Sequence, residues 1–161
     1  MGIIIALEGY AKKGKTSVLN LVISKIIMEL DVYQIDKFHD YKDKTYVFFI
    51  KEKKVLVTTL GDDNNTLSNQ LNNVKNYYKN YCDIIIYAKR PQKFFDCIKD
   101  LMSNHKFNEI PAITKRSGNF SEKKYITHSG LHKKMTSIKN DSINLDQLAA
   151  NEVFNLLKNQ L

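Results

Sequence analysis

Cysteine is nearly missing from this chain: Cys82 and Cys97 are the only two, and they show no C-x-x-C spacing. Both are expected to be reduced and buried, and neither is read as part of a disulfide framework or a metal site. Glycine and proline are sparse as well, six and two in 161 residues. No Pro/Gly/Ser-rich stretch marks a linker and no repeat recurs, so residues 1–161 are expected to form one domain, large enough for a central sheet covered on both faces. No apolar run reaches the roughly 18 residues that a membrane helix needs, so no membrane partner is expected. The N-terminus lacks a basic region before its apolar run, and a cleaved leader would remove the chain's most specific motif, which begins at Gly9. Both points favour a cytoplasmic protein. Acidic residues are in deficit, 17 Asp and Glu against 25 Lys and Arg, for a net charge of +8. That balance favours anionic partners. A phosphate ligand accounts for part of it, and nucleic acid would account for more.

What is present is concentrated near the start. Gly9, Tyr10, Ala11, Lys12, Lys13, Gly14, Lys15 and Thr16 read G-x-x-x-x-G-K-[ST], a phosphate-binding loop. The short apolar run Ile3, Ile4, Ile5, Ala6, Leu7 precedes it, patterned as a buried parallel strand. Val18, Leu19, Val22, Ile23, Ile26, Ile27 and Leu30 follow at helical spacing. Strand, glycine loop, helix is the order the chemistry requires. Gly9 and Gly14 allow backbone angles that a side chain would block, so successive N–H groups can turn inward as a nest for anionic oxygens. The helix N-terminus adds its positive dipole end. In such a loop Lys15 reaches the β- and γ-phosphates, Thr16 holds Mg²⁺, and Ser17 sits in the same first turn near the α-phosphate. The cofactors implied are ATP and Mg²⁺.

Further along, residues 31–44 are polar and mixed and read as a solvated connection or a substrate-binding loop, with Asp36, His39, Asp40 and Thr45 available. Residues 45–50 and 55–60 are β-branched and aromatic around a charged turn, which predicts an antiparallel hairpin. Its second strand is expected to lie beside the strand that precedes the phosphate loop. Gly61, Asp62 and Asp63 follow at its carboxyl end, the ligand side of an open α/β sheet. Asp62, ahead of Asp63, is the candidate metal acid; the alternative is an Asp-rich cap on the helix predicted over 64–81. Thr58 and Thr59 stand where an acid at the strand end would be expected. Residues 83–88 predict another buried strand, with Lys89 and Arg90 at its carboxyl end as candidate anion contacts. Arg90 is placed to stabilise charge on a transferred phosphoryl group. Phe94, Phe95, Ile98, Leu101 and Met102 mark a third helix. Residues 107–114 read as a short or edge strand because of Pro111. Residues 115–139 are strongly basic and read as a solvated loop, a lid, or a contact for a nucleic acid or protein partner. His128 and His132 have no third ligand nearby and do not make a zinc site. An amphipathic helix closes the chain at Leu145–Leu157.

The residues from Ile3 to Leu19 resemble the first strand and loop of many P-loop NTPases. The lead-in Ala6, Leu7, Glu8, Gly9 is also similar to thymidylate-kinase-like nucleotide kinases, and the hairpin resembles the second and third strands of Ras-like proteins. Over residues 1–100 the arrangement is similar to small bacterial P-loop ATPases of unassigned function. Tyr87, Ala88, Lys89 and Arg90 lack the N/T-K-x-D pattern of guanine-selective members, so guanine selectivity is not expected. The resemblance implies a three-layer α/β sandwich with a mostly parallel sheet of about five strands and one antiparallel edge strand, the P-loop NTPase fold. It also implies a Mg²⁺-dependent ATPase in which Lys15, Asp62 and Arg90 act on the phosphates. A nucleoside or nucleotide kinase, with 115–139 as lid, and a nucleotide-regulated nucleic-acid- or partner-binding module are the alternatives. No D-R-x kinase substrate motif is present.

Overall fold

A computed structural model describes residues 2–8, 15–60, 63–90, 95–116, 122–126, 132–136 and 141–161; of residues 111 and 113–145 within that set it describes the backbone alone. In chain order the elements are β1 (Gly2–Glu8), α1 (Lys15–Glu29), β2 (Val32–Asp40), β3 (Lys44–Ile50), β4 (Lys53–Thr58), α2 (Asn64–Tyr78), β5 (Ile84–Lys89), α3 (Asp96–Asn104), β6 (Phe107–Arg116), β7 (Glu122–Ile126), β8 (His132–Thr136) and α4 (Asp141–Lys158).

Among the described residues one sheet of eight strands runs in the order β2-β3-β4-β5-β1-β6-β7-β8. β1 pairs in parallel with both β5 and β6, and β4 pairs in parallel with β5. The other pairings, β2 with β3, β3 with β4, β6 with β7 and β7 with β8, are antiparallel. The expected fold, about five strands mostly parallel with one antiparallel edge, is therefore wrong. The sheet is mixed, antiparallel pairings outnumber parallel ones, and an antiparallel flank stands on each side. The hairpin expectation is corrected too: β5 stands between β4 and β1, so the second hairpin strand is not the neighbour of the loop strand.

The errors have a common cause. β2 and β8 stand at the two ends of the sheet with a paired strand on one side, β7 lies between β6 and β8, and none of these three sequences alternates apolar and polar residues. β2 exposes Tyr33, Gln34, Lys37 and Asp40 and half-buries the rest, so a strand stands where the sequence predicts a solvated connection or a substrate-binding loop. Pro111 misled in the other direction. β6 runs for 10 residues and is paired on both sides, but β7 joins it only from Ile113 onward. At Pro111 that side of the strand is still open, so the missing N–H interrupts no β7 bond.

Two apolar layers hold the helices to the sheet. Ile5, Leu7, Ile84 and Ile86 point to one face and pack with Val18, Leu19, Val22 and Ile26 of α1 and Ala150, Val153 and Leu157 of α4. Ile4, Ala6, Ile85 and Tyr87 point to the other and pack with Leu67, Leu71 and Val74 of α2 and Ile98 and Leu101 of α3. The period of two along β1 and β5 and the helical spacing in 18–26 and 67–74 produce this directly. Each fully buried Leu or Ile contributes about 1.5–3 kcal/mol relative to exposure. Gly2 is required by close approach: a Cβ there would lie 2.3 Å from the Phe107 ring.

Candidate phosphate and carboxylate site

β1 ends at Glu8 and α1 begins at Lys15, so the glycine motif joins a buried strand to a helix start. Gly9, Tyr10, Ala11, Lys12, Lys13 and Gly14 lie outside the described residues. Lys15 opens α1 and is 7 % exposed, while Thr16 and Ser17 are exposed in the same turn. That turn contains no acidic residue, so nothing on the helix itself neutralises its positive end. Val18 and Leu19 are buried immediately after it, which fixes the helix axis against β1.

At the carboxyl ends of β1 and β5, in the layer that carries α2 and α3, lies a polar cluster that sequence reasoning missed. Glu8 at the end of β1 is register partner to Lys89 at the end of β5. The Lys89 ammonium sits 3.0 Å from Glu109 Oε1 of β6 and 3.9 Å from Glu8 Oε2, with side-chain exposures of 8 % for Lys89 and 10 % and 19 % for the two acids. Lys89, a candidate anion contact from the sequence, lies between two protein carboxylates. The Tyr87 hydroxyl lies in the same layer, fully buried, and finds no hydrogen-bond partner among the described residues. Burial, then the nearby charges of Glu109, Cys97 and Glu8, pushes its pKa up. Cys97 borders the cluster, its thiol donating to Asn64 Oδ1 at 3.4 Å. Burial raises that thiol to about 11 against the opposing pull of backbone N–H groups. The available signal was a carboxylate closing an otherwise apolar strand at Glu8. Glu109 had no signal, because only the β1–β6 register brings it near.

The acids after β4 divide. Asp62 lies outside the described residues. Asp63 caps α2: its carboxylate accepts from the Asn65 N–H at 3.2 Å and from the Thr66 hydroxyl at 2.8 Å. That is the helix-cap alternative. Thr58, where an acid would have been needed, shares a buried hydroxyl contact of 2.9 Å with Thr45. Thr59 donates to Asp43 Oδ1 at 3.0 Å and accepts from the Lys44 N–H at 2.9 Å. These threonines tie β4 to the start of β3. Arg90 follows the last residue of β5, half-buried at the carboxyl end of the sheet. Residues 115–139, expected as a basic loop, contain β7 and β8. His132 begins β8, and His128 lies outside the described residues.

Among the described residues no group of three His, Cys, Asp or Glu is arranged to hold a metal ion. No described helix is long and apolar enough to cross a membrane. Cys82 and Cys97 are free thiols. No family model and no curated protein matches the chain.

Proposed function

We propose that the chain is a Mg²⁺-dependent ATP-binding protein that hydrolyses ATP, with the phosphates held at the start of α1. The observation that carries this reading is the G-x-x-x-x-G-K-[ST] string lying where a buried strand ends at Glu8 and a helix with no acid in its first turn begins at Lys15. The residues fit the implied groups. Lys15 supplies an ammonium in a partly desolvated turn. Thr16 and Ser17 present exposed hydroxyls beside it. Mg²⁺ keeps several waters and takes phosphate oxygens, so one hydroxyl from the chain suffices without a carboxylate cage. When bound, the cation would neutralise charge on the phosphates. Lys15 binds and orients them, Asp62 assists the cation, and Arg90 offers a guanidinium to developing charge at the same end of the sheet. Adenine is preferred over guanine by default, since N/T-K-x-D is missing. The protein works in the reducing cytoplasm, where both thiols persist.

Phosphate release tests this reading: ATP with Mg²⁺ should give inorganic phosphate, Lys15→Ala should lower the rate at least about tenfold, since a charged hydrogen bond contributes about 1.5–3 kcal/mol, and GTP should not outcompete ATP. No release by the wild-type chain would reject the ATPase reading.

A second reading, phosphoryl transfer to an acceptor, is favoured by one specific feature, the Glu8–Lys89–Glu109 cluster at the end of β1, the strand that leads into the glycine motif. A carboxylate there is chemically able to accept an acceptor's hydroxyl proton. Product analysis over nucleosides and nucleotides separates the two readings. A phosphorylated acceptor whose formation is lost in Glu8→Gln supports transfer, and phosphate as the sole product rejects it.

A further inference from the structure

The register of the last three strands collects charge of one sign. β6, β7 and β8 pair antiparallel in turn, with β8 at the end of the sheet. Lys115 of β6 is register partner to Lys124 of β7, and Lys124 in turn to Lys134 of β8. The three lysine positions therefore stand in one row across three adjacent strands. Directly opposed positions of a ladder share a face, so all three lie on one side of the sheet. Ala112 belongs to the layer of α1 and α4. By alternation Lys115 and its row lie on the other side, that of α2 and α3. Ile113 is register partner to Glu8, so the row crosses the sheet two residues beyond the end of β1.

Like charges directly opposite one another destabilise a ladder, and the row contains no acid to offset them. In strand residues 113–116, 122–126 and 132–136, Lys115, Arg116, Lys123, Lys124, Lys133 and Lys134 stand against the single acid Glu122. Glu122 shares the row's face two residues from Lys124, but its register partner is Thr136. On the same side α3 packs on β6 and brings Asp96, Lys99 and Asp100 to the β6 end of the row. Lys124 and Lys134 stand one and two strands further out. The acids of α4, Asp141, Asp146 and Glu152, belong to the opposite side, where α4 packs on β6 and β7. A polyanion would neutralise the row. Neighbouring strands lie about 4.8 Å apart, so the row spans about 10 Å, and a nucleic-acid duplex carries one charge per roughly 1.7 Å of its axis. The row's face of these strands has no Phe, Tyr or Trp, so it offers no such ring on which unpaired bases could stack. Lysine is depleted in the buried centres of protein interfaces, which disfavours a protein occupant.

We propose that the face of β6, β7 and β8 carrying Lys115, Lys124 and Lys134 binds the phosphate backbone of double-stranded nucleic acid. Contacts of this kind position a duplex without reading its sequence. The proposal does not rest on the ATP reading.

The test uses the full chain and a fluorescein-labelled duplex of about 20 base pairs, as DNA and as RNA, long enough to span the row. Anisotropy should show saturable binding at about 50 mM salt that weakens as salt rises, because each phosphate neutralised releases counterions. Lys124→Gln with Lys134→Gln should weaken it at least about tenfold and lower the slope of log affinity against log salt by about two. Lys79→Gln, at an exposed lysine that ends α2, should change neither. Lys124→Gln should melt no lower than the wild type, because it removes repulsion from the ladder; a lower midpoint would mean that the chain itself neutralises the row, and overturns the proposal. Lys15→Ala should bind the duplex as the wild type does, so failure here and failure of the ATP reading are separate results. No binding of either duplex, an equal loss in Lys79→Gln, or tighter binding of single-stranded oligothymidylate than of the duplex also overturns the proposal. So does loss of the ATP-dependent melting shift in the double variant, which would make the row part of the nucleotide site.

Discussion

Lys89 carries its ammonium 3.0 Å from Glu109 and 3.9 Å from Glu8 in a nearly closed layer. Removing one member of such a group leaves charge without compensation, which costs more than the group's net contribution. Lys89→Met should lower stability by about 3–5 kcal/mol in urea denaturation at neutral pH. A loss under about 1 kcal/mol would mean the two acids are solvated or neutralised elsewhere. Tyr87 gives the opposite expectation. A buried hydroxyl without a partner costs about 1–3 kcal/mol, so Tyr87→Phe should leave stability equal or raise it. A clear loss would reveal a partner for that hydroxyl.

The thiols supply a pH dependence. Burial, the largest cause in each case, pushes Cys82 up to about 12 and Cys97 up to about 11, from 9.0 for an ordinary thiol. A raised thiol pKa means the folded chain keeps a proton that the unfolded chain gives up. The stability from this source is whole below about pH 9 and is lost as pH rises toward 12. Both thiols should therefore react slowly with a disulfide reagent at pH 8 in the folded chain and quickly in denaturant. Cys82 is buried and Cys97 half-buried, so Cys82 should be the slower of the two, and fast reaction of Cys82 under native conditions would contradict its burial.

Strands β3 and β4 are joined by a buried hydroxyl pair as well as by their ladder. Thr58→Val removes the partner of both the Thr45 hydroxyl and the Leu60 N–H and should cost about 1–3 kcal/mol, whereas adding Thr45→Val to it should cost little more or recover part of the loss, because the stranded Thr45 hydroxyl is then gone while the Leu60 N–H is still without its acceptor. Additive losses would show that the contact is not a coupled bond. At the next element Asp63→Ala should cost about 1 kcal/mol through the lost α2 cap. That effect is on stability, with nucleotide binding untouched. Legibility followed the same division between elements. The strands β1, β4 and β5 and the helices α1 and α2 announced themselves because each buries a face with a fixed period. β2, β7 and β8 did not, because none of the three sequences alternates apolar and polar residues, and β2 and β8 stand at the two ends of the sheet with a paired strand on one side. The motif around Lys15 was legible because its chemistry is local. The pairing of Lys89 with Glu109 was not, since it depends on β6 lying beside β1, a sheet order that no local pattern encodes.

At the scale of the whole molecule, one mixed sheet carries two separate surfaces: the carboxyl end of β1, where α1 begins, and the lysine row across β6, β7 and β8. The account's central claim is that phosphates bind the first. A ligand that binds the folded chain alone stabilises it by about 2.7 kcal/mol at a hundredfold excess over Kd, and each kcal/mol moves the midpoint by roughly 2–4 °C for a chain of this size. The most direct measurement is the melting midpoint with ATP, with and without Mg²⁺, in the wild-type chain and in Lys15→Ala. The account predicts a rise of roughly 5–10 °C with ATP and Mg²⁺, a smaller rise with ATP and a chelator, and almost none in Lys15→Ala. An unmoved midpoint with every nucleotide, or an equal rise in Lys15→Ala, would contradict it.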